Sequence, residues 1–322
     1  MFLSDGMGVS FKMIEMNTIK SRILLRLMQG FGMQPWWMLH FEASVIAGFM
    51  AIVGGYRKGI VLGNLKKVFG RENIQSLSKG FYKNFCDITL ESMKLFSAND
   101  HSVMTRVEYS EEGVSLMNRL HKEGRHVILV GAHMANWEMY AMTLSGAIDH
   151  KTMALYKKLS DPVMDDAMLK SRQRKGLKMI EIEECKTWMD THVKEGGEPV
   201  AVGFGFDQSP QDPKKAWWTT FLGLETPVYF GAEKWAHTYD AAVVYGAVHR
   251  TGRGRYKVEF RLVEENVKTL NKGHVIDKCL GELEMEILNA PSDWLWSHKR
   301  WKHQIPEGMK VQKRMFERTL ES

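Results

Sequence analysis

Little in this sequence would staple a fold or carry it across a membrane. Its three cysteines, Cys86, Cys185 and Cys279, are odd in number, far apart and without metal-ligand spacing. They exclude a disulfide framework and suit a reducing compartment. Inside the weakly charged stretch Leu27–Tyr56, the uncharged run Ala43–Tyr56 has 14 residues, short of the roughly 20 that span a bilayer. Residues 1–35 lack a compact apolar core followed by a small-residue cleavage site, so no signal peptide is expected. No repeat, low-complexity segment or Pro/Gly-rich linker divides the chain. No nucleic-acid-reading motif is recognisable, so nucleic acid is not expected as a partner.

What is present begins with size. A chain of 322 residues that is 44% hydrophobic buries a core without staples, as one large domain or two small ones. The net charge is +6, and it is uneven. Residues 1–70 carry eight Lys/Arg against three acids, and residues 299–322 seven against three. Basic ends favour an anionic partner such as lipid headgroups or an acidic protein, with plain solubility as the alternative.

The stretch Leu27–Tyr56 has Glu42 as its only carboxylate and no Lys or Arg, with Trp36-Trp37 near its front and Tyr56-Arg57-Lys58 at its back. Aromatics and cations at the ends of an apolar segment suit a membrane interface. The expectation is a helix lying in one leaflet rather than spanning it, with a buried core helix as the alternative. Residues 1–58 are therefore read as a basic, apolar membrane-associating region and 59–322 as a separate domain.

Residues 60–69 place Val61, Leu65, Val68 and Phe69 on one helical face, and 71–98 continue with Phe81, Phe85, Ile88 and Leu95. Near residue 100 the pattern changes. The runs 126–130, 199–206, 241–248 and 256–263 read as strands, the first as a buried one. Helical patterns lie at 136–144, 161–175 and 228–239. Strands alternating with helices predict an α/β layer fold.

The sharpest local feature is Gly131-Ala132-His133-Met134-Ala135-Asn136-Trp137-Glu138. His133 follows an apolar strand, where α/β folds place reactive groups. Asn136 can cap the helix that starts there. Within one helix, His133 and Glu138 would stand about 140° apart, and a loop–helix break lets them converge. A carboxylate beside an imidazole fixes its tautomer and raises its basicity, as a general base attacking a thioester through a hydroxyl requires. A satisfied polar histidine is the alternative.

This segment resembles the HxxxxE box of the lipid A late acyltransferases, the lauroyl and myristoyl transferases. Further blocks match in order: Tyr56-Arg57-Lys58 with Asn64-Leu65 and Phe69, Arg172-Gln173-Arg174-Lys175-Gly176, Asp207-Gln208, Thr220-Phe221-Leu222-Gly223, and Trp294 to Lys302. The resemblance covers roughly 35–302. Ala135 stands where the family usually has Gly, and Leu222 where it has a second Phe.

The resemblance implies a glycerolipid-acyltransferase-like mixed sheet flanked by helices, with no metal and no organic cofactor. It implies acyl transfer from an acyl carrier protein to a lipid hydroxyl at the cytoplasmic face of the inner membrane. His133 would be the base and Glu138 its orienter, with Arg172, Asp207, Gln208 and Asn136 binding substrate. A guanidinium suits a phosphate or a developing oxyanion. The alternative for Arg172 is a surface charge, and for Asp207 a turn residue before Pro210. The basic ends would meet the acidic carrier protein and a lipid A precursor or other anionic lipid. Coenzyme A as donor, a mannosylated phosphoinositide or aminolipid as acceptor, and a non-catalytic membrane-associated protein stay open. The tryptophans at 294–301 suit either a membrane interface or a packed C-terminal core.

Overall fold

The computed structural model describes residues 5–97, 100–194 and 196–314. The outermost parts of both basic ends, 1–4 and 315–322, lie outside the described residues. Helices come first, as the sequence predicts, but the stretch 27–56 is divided between two of the four: α1 (Asp5–Met33), α2 (Trp36–Val53), α3 (Lys58–Phe69) and α4 (Ile74–Lys94). A short α5 (Asp100–Met104) leads into the sheet region.

That region runs β1 (Val107–Tyr109), α6 (Glu111–Lys122), β2 (Val127–Gly131), α7 (Trp137–Thr143), β3 (Lys151–Tyr156), α8 (Pro162–Gln173), β4 (Lys178–Glu181), α9 (Ile182–Lys194) and β5 (Val200–Gly205). A hairpin follows, β6 (Trp217–Phe221) with β7 (Leu224–Val228), then α10 (Gly231–Tyr239), β8 (Ala242–Gly252), β9 (Arg255–Glu264) and α11 (His274–Asn289).

Seven strands form one mixed sheet in the order β1-β9-β8-β2-β5-β3-β4. Five neighbours, from β8 to β4, run parallel, and β9 turns back antiparallel to β8. This is the expected α/β class with helices flanking a mixed sheet. β2 is central, so Val127, Ile128, Leu129 and Val130 are buried on both faces, which is why its sequence is a continuous apolar run. β9 alternates instead: Tyr256, Val258 and Phe260 are buried while Lys257 and Glu259 are less so. Each fully buried large side chain contributes roughly 1.5–3 kcal/mol.

Local chemistry fixes the helix starts. Ser110 Oγ accepts from Gly113 N at 3.3 Å to cap α6, whose first turn holds Glu111 and Glu112 and whose last holds Arg119 and Lys122. Asp161 Oδ1 accepts from Val163 N and Met164 N, both at 3.0 Å, ahead of Pro162 at the first turn of α8.

The N-terminal helices pack on the rest of the chain. Leu39 and Ala43 of α2 are fully buried against Cys86 and Leu90 of α4. Lys94 Nζ donates to Gly32 O at 3.0 Å and Gln34 O at 2.7 Å, closing the α1–α2 turn onto α4. The opposite faces are bare. Ile19, Ile23, Leu27 and Phe31 on α1, and Trp37, Phe41, Val45, Phe49 and Val53 on α2, are all exposed. Each set repeats every four residues. Among the described residues no helix is long and apolar enough to cross a membrane.

All three cysteines are buried and free. The tryptophans near the C-terminus belong to the core: Trp294 and Trp296 are buried, with ring centroids 4.7 Å apart at 81°. Of the two alternatives, packing is the one realised. Asn64 Nδ2 donates to Trp296 O at 2.9 Å and His298 O at 2.8 Å, so the block around Tyr56–Asn64 meets the C-terminal block in space.

Candidate active site

The parallel strands β2 and β5 end side by side. Their register pairs Gly131 with Gly205, and Phe206 N donates to Gly131 O at 3.2 Å. Two residues beyond each glycine stand His133 and Asp207, facing each other across the carboxyl edge of the sheet. His133 Nδ1 is 2.8 Å from Asp207 Oδ1. His133 N donates to Asp207 Oδ2 at 3.1 Å, and Trp294 Nε1 donates to the same oxygen at 2.9 Å.

These contacts set the protonation states. Asp207 is only 3% exposed, and burial alone would raise its pKa. The imidazole charge and three N–H donors outweigh that and bring it down to about 2. An ionised Asp207 fixes the proton of neutral His133 on Nδ1 and leaves Nε2 as the acceptor. The Gln208 side-chain amide donates to that Nε2 at 3.2 Å. Burial opposes charge on His133 as well, yet Asp207 prevails and raises the ring above its ordinary value.

Among the described contacts, Glu138 acts on His133 through its charge alone and not through a hydrogen bond. Its carboxylate is taken by Arg172, which donates from Nη2 to Oε1 at 2.7 Å and from Nε to Oε2 at 3.1 Å. The reason is directional. Glu138 sits in the first turn of α7 and faces α8, whose last turn carries Arg172. The hydrogen-bonding partner expected of His133 therefore differs: the carboxylate on the ring is Asp207, and Glu138 holds a guanidinium.

Asn136 is likewise corrected as a substrate-binding residue. It is fully buried. Its Oδ1 accepts from Met139 N at 3.0 Å, capping α7, and its Nδ2 donates to Glu91 Oε2 at 2.8 Å. Both ends of the amide are satisfied inside the protein. Ala135 beside it has φ 46°, in the left-handed region, and donates its N–H to Asp293 O at 2.9 Å. That conformation accounts for the glycine that the related sequences usually carry at this point.

Gln208, Glu138 and Arg172 line a cavity of about 500 Å³, with Arg57 and His298. The rest of its lining is mostly apolar: Met28 of α1, Phe85, Ile88 and Phe96 in and after α4, Met142 of α7 and Met168 of α8, with hydroxyls of Thr89, Ser92 and Ser171 among them. A mostly apolar cavity with a few convergent polar groups suits a ligand that is largely hydrocarbon. The turn carrying Gln208 is secured by His298, whose Nε2 accepts from Ser209 N at 2.8 Å. Burial pushes the His298 pKa down to about 4, so this ring stays neutral and able to accept.

Sequence reasoning therefore identified most of the groups and misassigned their partners. Arg172 and Gln208 line the cavity, and Asp207 lies behind His133 rather than against a substrate. Trp294, which anchors Asp207, and Glu91, which holds Asn136, were not singled out as site residues. For Asp207 a signal existed: like His133, it directly follows the end of an apolar strand.

A family model described as bacterial lipid A biosynthesis acyltransferase matches residues 21–303. The chain belongs to that family. No curated protein matches it.

Proposed function

We propose that this acyltransferase moves a fatty acyl chain from a thioester to a hydroxyl of a lipid A precursor, with His133 as general base and Asp207 as its orienter. The observation that carries the reading is the 2.8 Å contact between His133 Nδ1 and Asp207 Oδ1. It leaves Nε2 free to take the proton of an acceptor hydroxyl lying where the Gln208 amide now points. The hydroxyl oxygen then bonds to the thioester carbon, and its proton goes to Nε2. Collapse of the tetrahedral intermediate breaks the C–S bond, and the departing thiolate recovers the proton from the imidazolium. Arg172, held bidentately by Glu138, supplies positive charge for the oxyanion or for a phosphate of the acceptor.

The apolar cavity supports a seat for the acyl chain beside this base. Acyl carrier protein is the proposed donor, since it is acidic and the chain is basic. The proposed setting is the cytoplasmic face of the inner membrane. The exposed apolar rows of α1 and α2, with Lys20, Arg22, Arg26, Arg57 and Lys58 exposed near them, support seating in the interface of an anionic bilayer. In that reading residues 1–58 supply the membrane-associating surface and 59–322 the chemistry.

The test uses the purified full chain with acyl-carrier-protein or coenzyme A thioesters and a lipid A precursor, with mass spectrometry of the product. Transfer by the parent and a loss of about 10²–10⁴-fold in His133→Ala are expected. Near-normal transfer by His133→Ala would overturn the assignment. Transfer only to another anionic lipid would move the acceptor and keep the mechanism.

A further inference from the structure

Beneath the His133 loop lies a buried carboxylate that the transfer chemistry does not use. Glu91, on α4, is completely buried. Its Oε2 accepts from Asn136 Nδ2 at 2.8 Å and from the Tyr256 hydroxyl at 2.6 Å. Its Oε1 is 2.9 Å from His40 Nε2 of α2. Three elements, α2, β9 and the loop after β2, thus converge on one side chain of a fourth. One turn earlier on α4, the buried Asp87 binds Arg250 Nη2 at 2.5 Å and Arg253 Nε at 3.0 Å. Arg253 in turn donates to His40 O at 2.6 Å and to Ser44 Oγ at 2.8 Å. Both ends of the network grip the inner face of α2, whose outer face carries the exposed row from Trp37 to Val53.

A buried carboxylate is costly unless every lone pair is used. Such a group is not needed to join α2 to α4, because Leu39 and Ala43 already pack there. What it adds is direction. Asn136 is the hinge of the catalytic loop, ending the left-handed turn at Ala135 and capping α7. A shift of Asn136 moves His133 three residues before it and Glu138 two residues after it. Misplacement of a reacting group by about 1 Å can cost on the order of 10²-fold in rate.

We propose that Glu91 is a positioning residue for acyl transfer. It aims the His133 loop through Asn136 and, through His40, ties that aim to the seating of α2. The inference rests on the reading of His133 as the base. It makes the network a mechanical link between the helix with the apolar row and the reacting histidine. Glu91 touches no substrate, so its loss should appear in kcat and not in KM.

The experiment compares the full chain with Glu91→Ala, Glu91→Gln, His40→Ala and His133→Ala. Each is assayed for transfer to acceptor lipid embedded in vesicles of anionic phospholipid, and for co-sedimentation with the same vesicles. Glu91→Ala should lower kcat about 10–100-fold at unchanged KM for the acyl donor. Glu91→Gln, which still accepts from Asn136 and Tyr256, should recover most of that loss. His40→Ala removes one of three contacts and keeps the fold if Glu91→Ala does not. It should lower kcat several-fold while sedimenting with vesicles like the parent. Parent-like kcat in His40→Ala, or no recovery in a folded Glu91→Gln, overturns the proposal. An inactive parent, or an active His133→Ala, overturns the reading beneath it instead.

Discussion

Asp207→Asn is the substitution that probes the site most directly. Asp207 receives three N–H groups: the His133 ring, the His133 backbone and the Trp294 indole. An asparagine has one oxygen to offer. If that oxygen faces the backbone and indole N–H groups, the amide NH₂ faces Nδ1. Neutral His133 must then carry its proton on Nε2, and the base is lost. The reverse orientation points NH₂ at two donors and leaves all of them unpaired in a buried place, at about 1–3 kcal/mol each. The first orientation wins, so the variant folds with the wrong tautomer.

The lost carboxylate also stops supporting the imidazolium. Its fall from an ordinary 3.8 to about 2 corresponds to about 2 kcal/mol of preference for the ionised form. That stability is fully present above pH 4 and disappears as pH drops through 2. Tautomer loss and charge loss together should cut kcat by about 10²–10⁴-fold. The pH profile gives a second readout. In the parent, His133 is raised above its ordinary 6.5, and transfer needs it neutral, so kcat/KM should climb with pH to a plateau reached above that value. Without Asp207, burial and the Arg172 charge push the ring down and only the more distant Glu138 charge pulls it up, so the acidic limb of the residual activity should move to lower pH. A folded Asp207→Asn enzyme with kcat within about threefold of the parent and an unmoved acidic limb would refute this reasoning.

Three further outcomes follow from the same geometry. Ala135→Gly relieves a left-handed alanine, worth roughly 1–2 kcal/mol, against the extra chain entropy of glycine. Chemical denaturation should show stability unchanged or up to about 1 kcal/mol higher, and a clear loss would contradict the strain argument. Burial lifts the Glu286 carboxyl to about 7, so its contribution is complete below the ordinary 4.5 and is lost as pH rises through 7. Glu286→Gln should therefore be more stable than the parent at pH 8, by up to about 3 kcal/mol, and nearly equal at pH 4, as urea titrations at both values would show. Replacing Phe41, Val45 and Phe49 together with serine should change stability little, since such surface changes stay within about 0.5 kcal/mol each. The same variant should sediment far less with anionic vesicles, and undiminished sedimentation would argue against that face as the lipid-facing one.

How much of this was legible beforehand depended on whether a residue's role is local. The run 126–130 announced a central strand because a strand covered on both faces has no polar positions to spare. Asn136 announced a helix cap for an equally local reason. β3 and β4 gave no such signal: Lys151–Tyr156 is polar at its start, and Lys178–Glu181 has only four residues. The hairpin of β6 and β7 was equally hidden, since only its turn, in the block Thr220 to Gly223, stood out in the sequence. The pairing of His133 with Asp207 is the most instructive failure. It depends on β5 lying next to β2 although β3 and β4 intervene in the chain, and no local pattern encodes that order. A carboxylate five residues from a histidine looked like its partner, when the partner was 74 residues away.

Trp294 closes the hydrogen-bond set on Asp207, and this bears on when the enzyme becomes able to react. The helices carrying the apolar rows are made first, and the indole that completes the base is made near the end. At roughly 5–20 residues per second, a ribosome needs on the order of tens of seconds to go from one to the other. If the apolar rows seat on lipid as proposed, a nascent chain can be seated before its histidine is polarised. In the proposed setting, grip on a lipid surface and reactivity would arise in that temporal order, because the last third of the chain supplies the final donor to a carboxylate that the middle third provides.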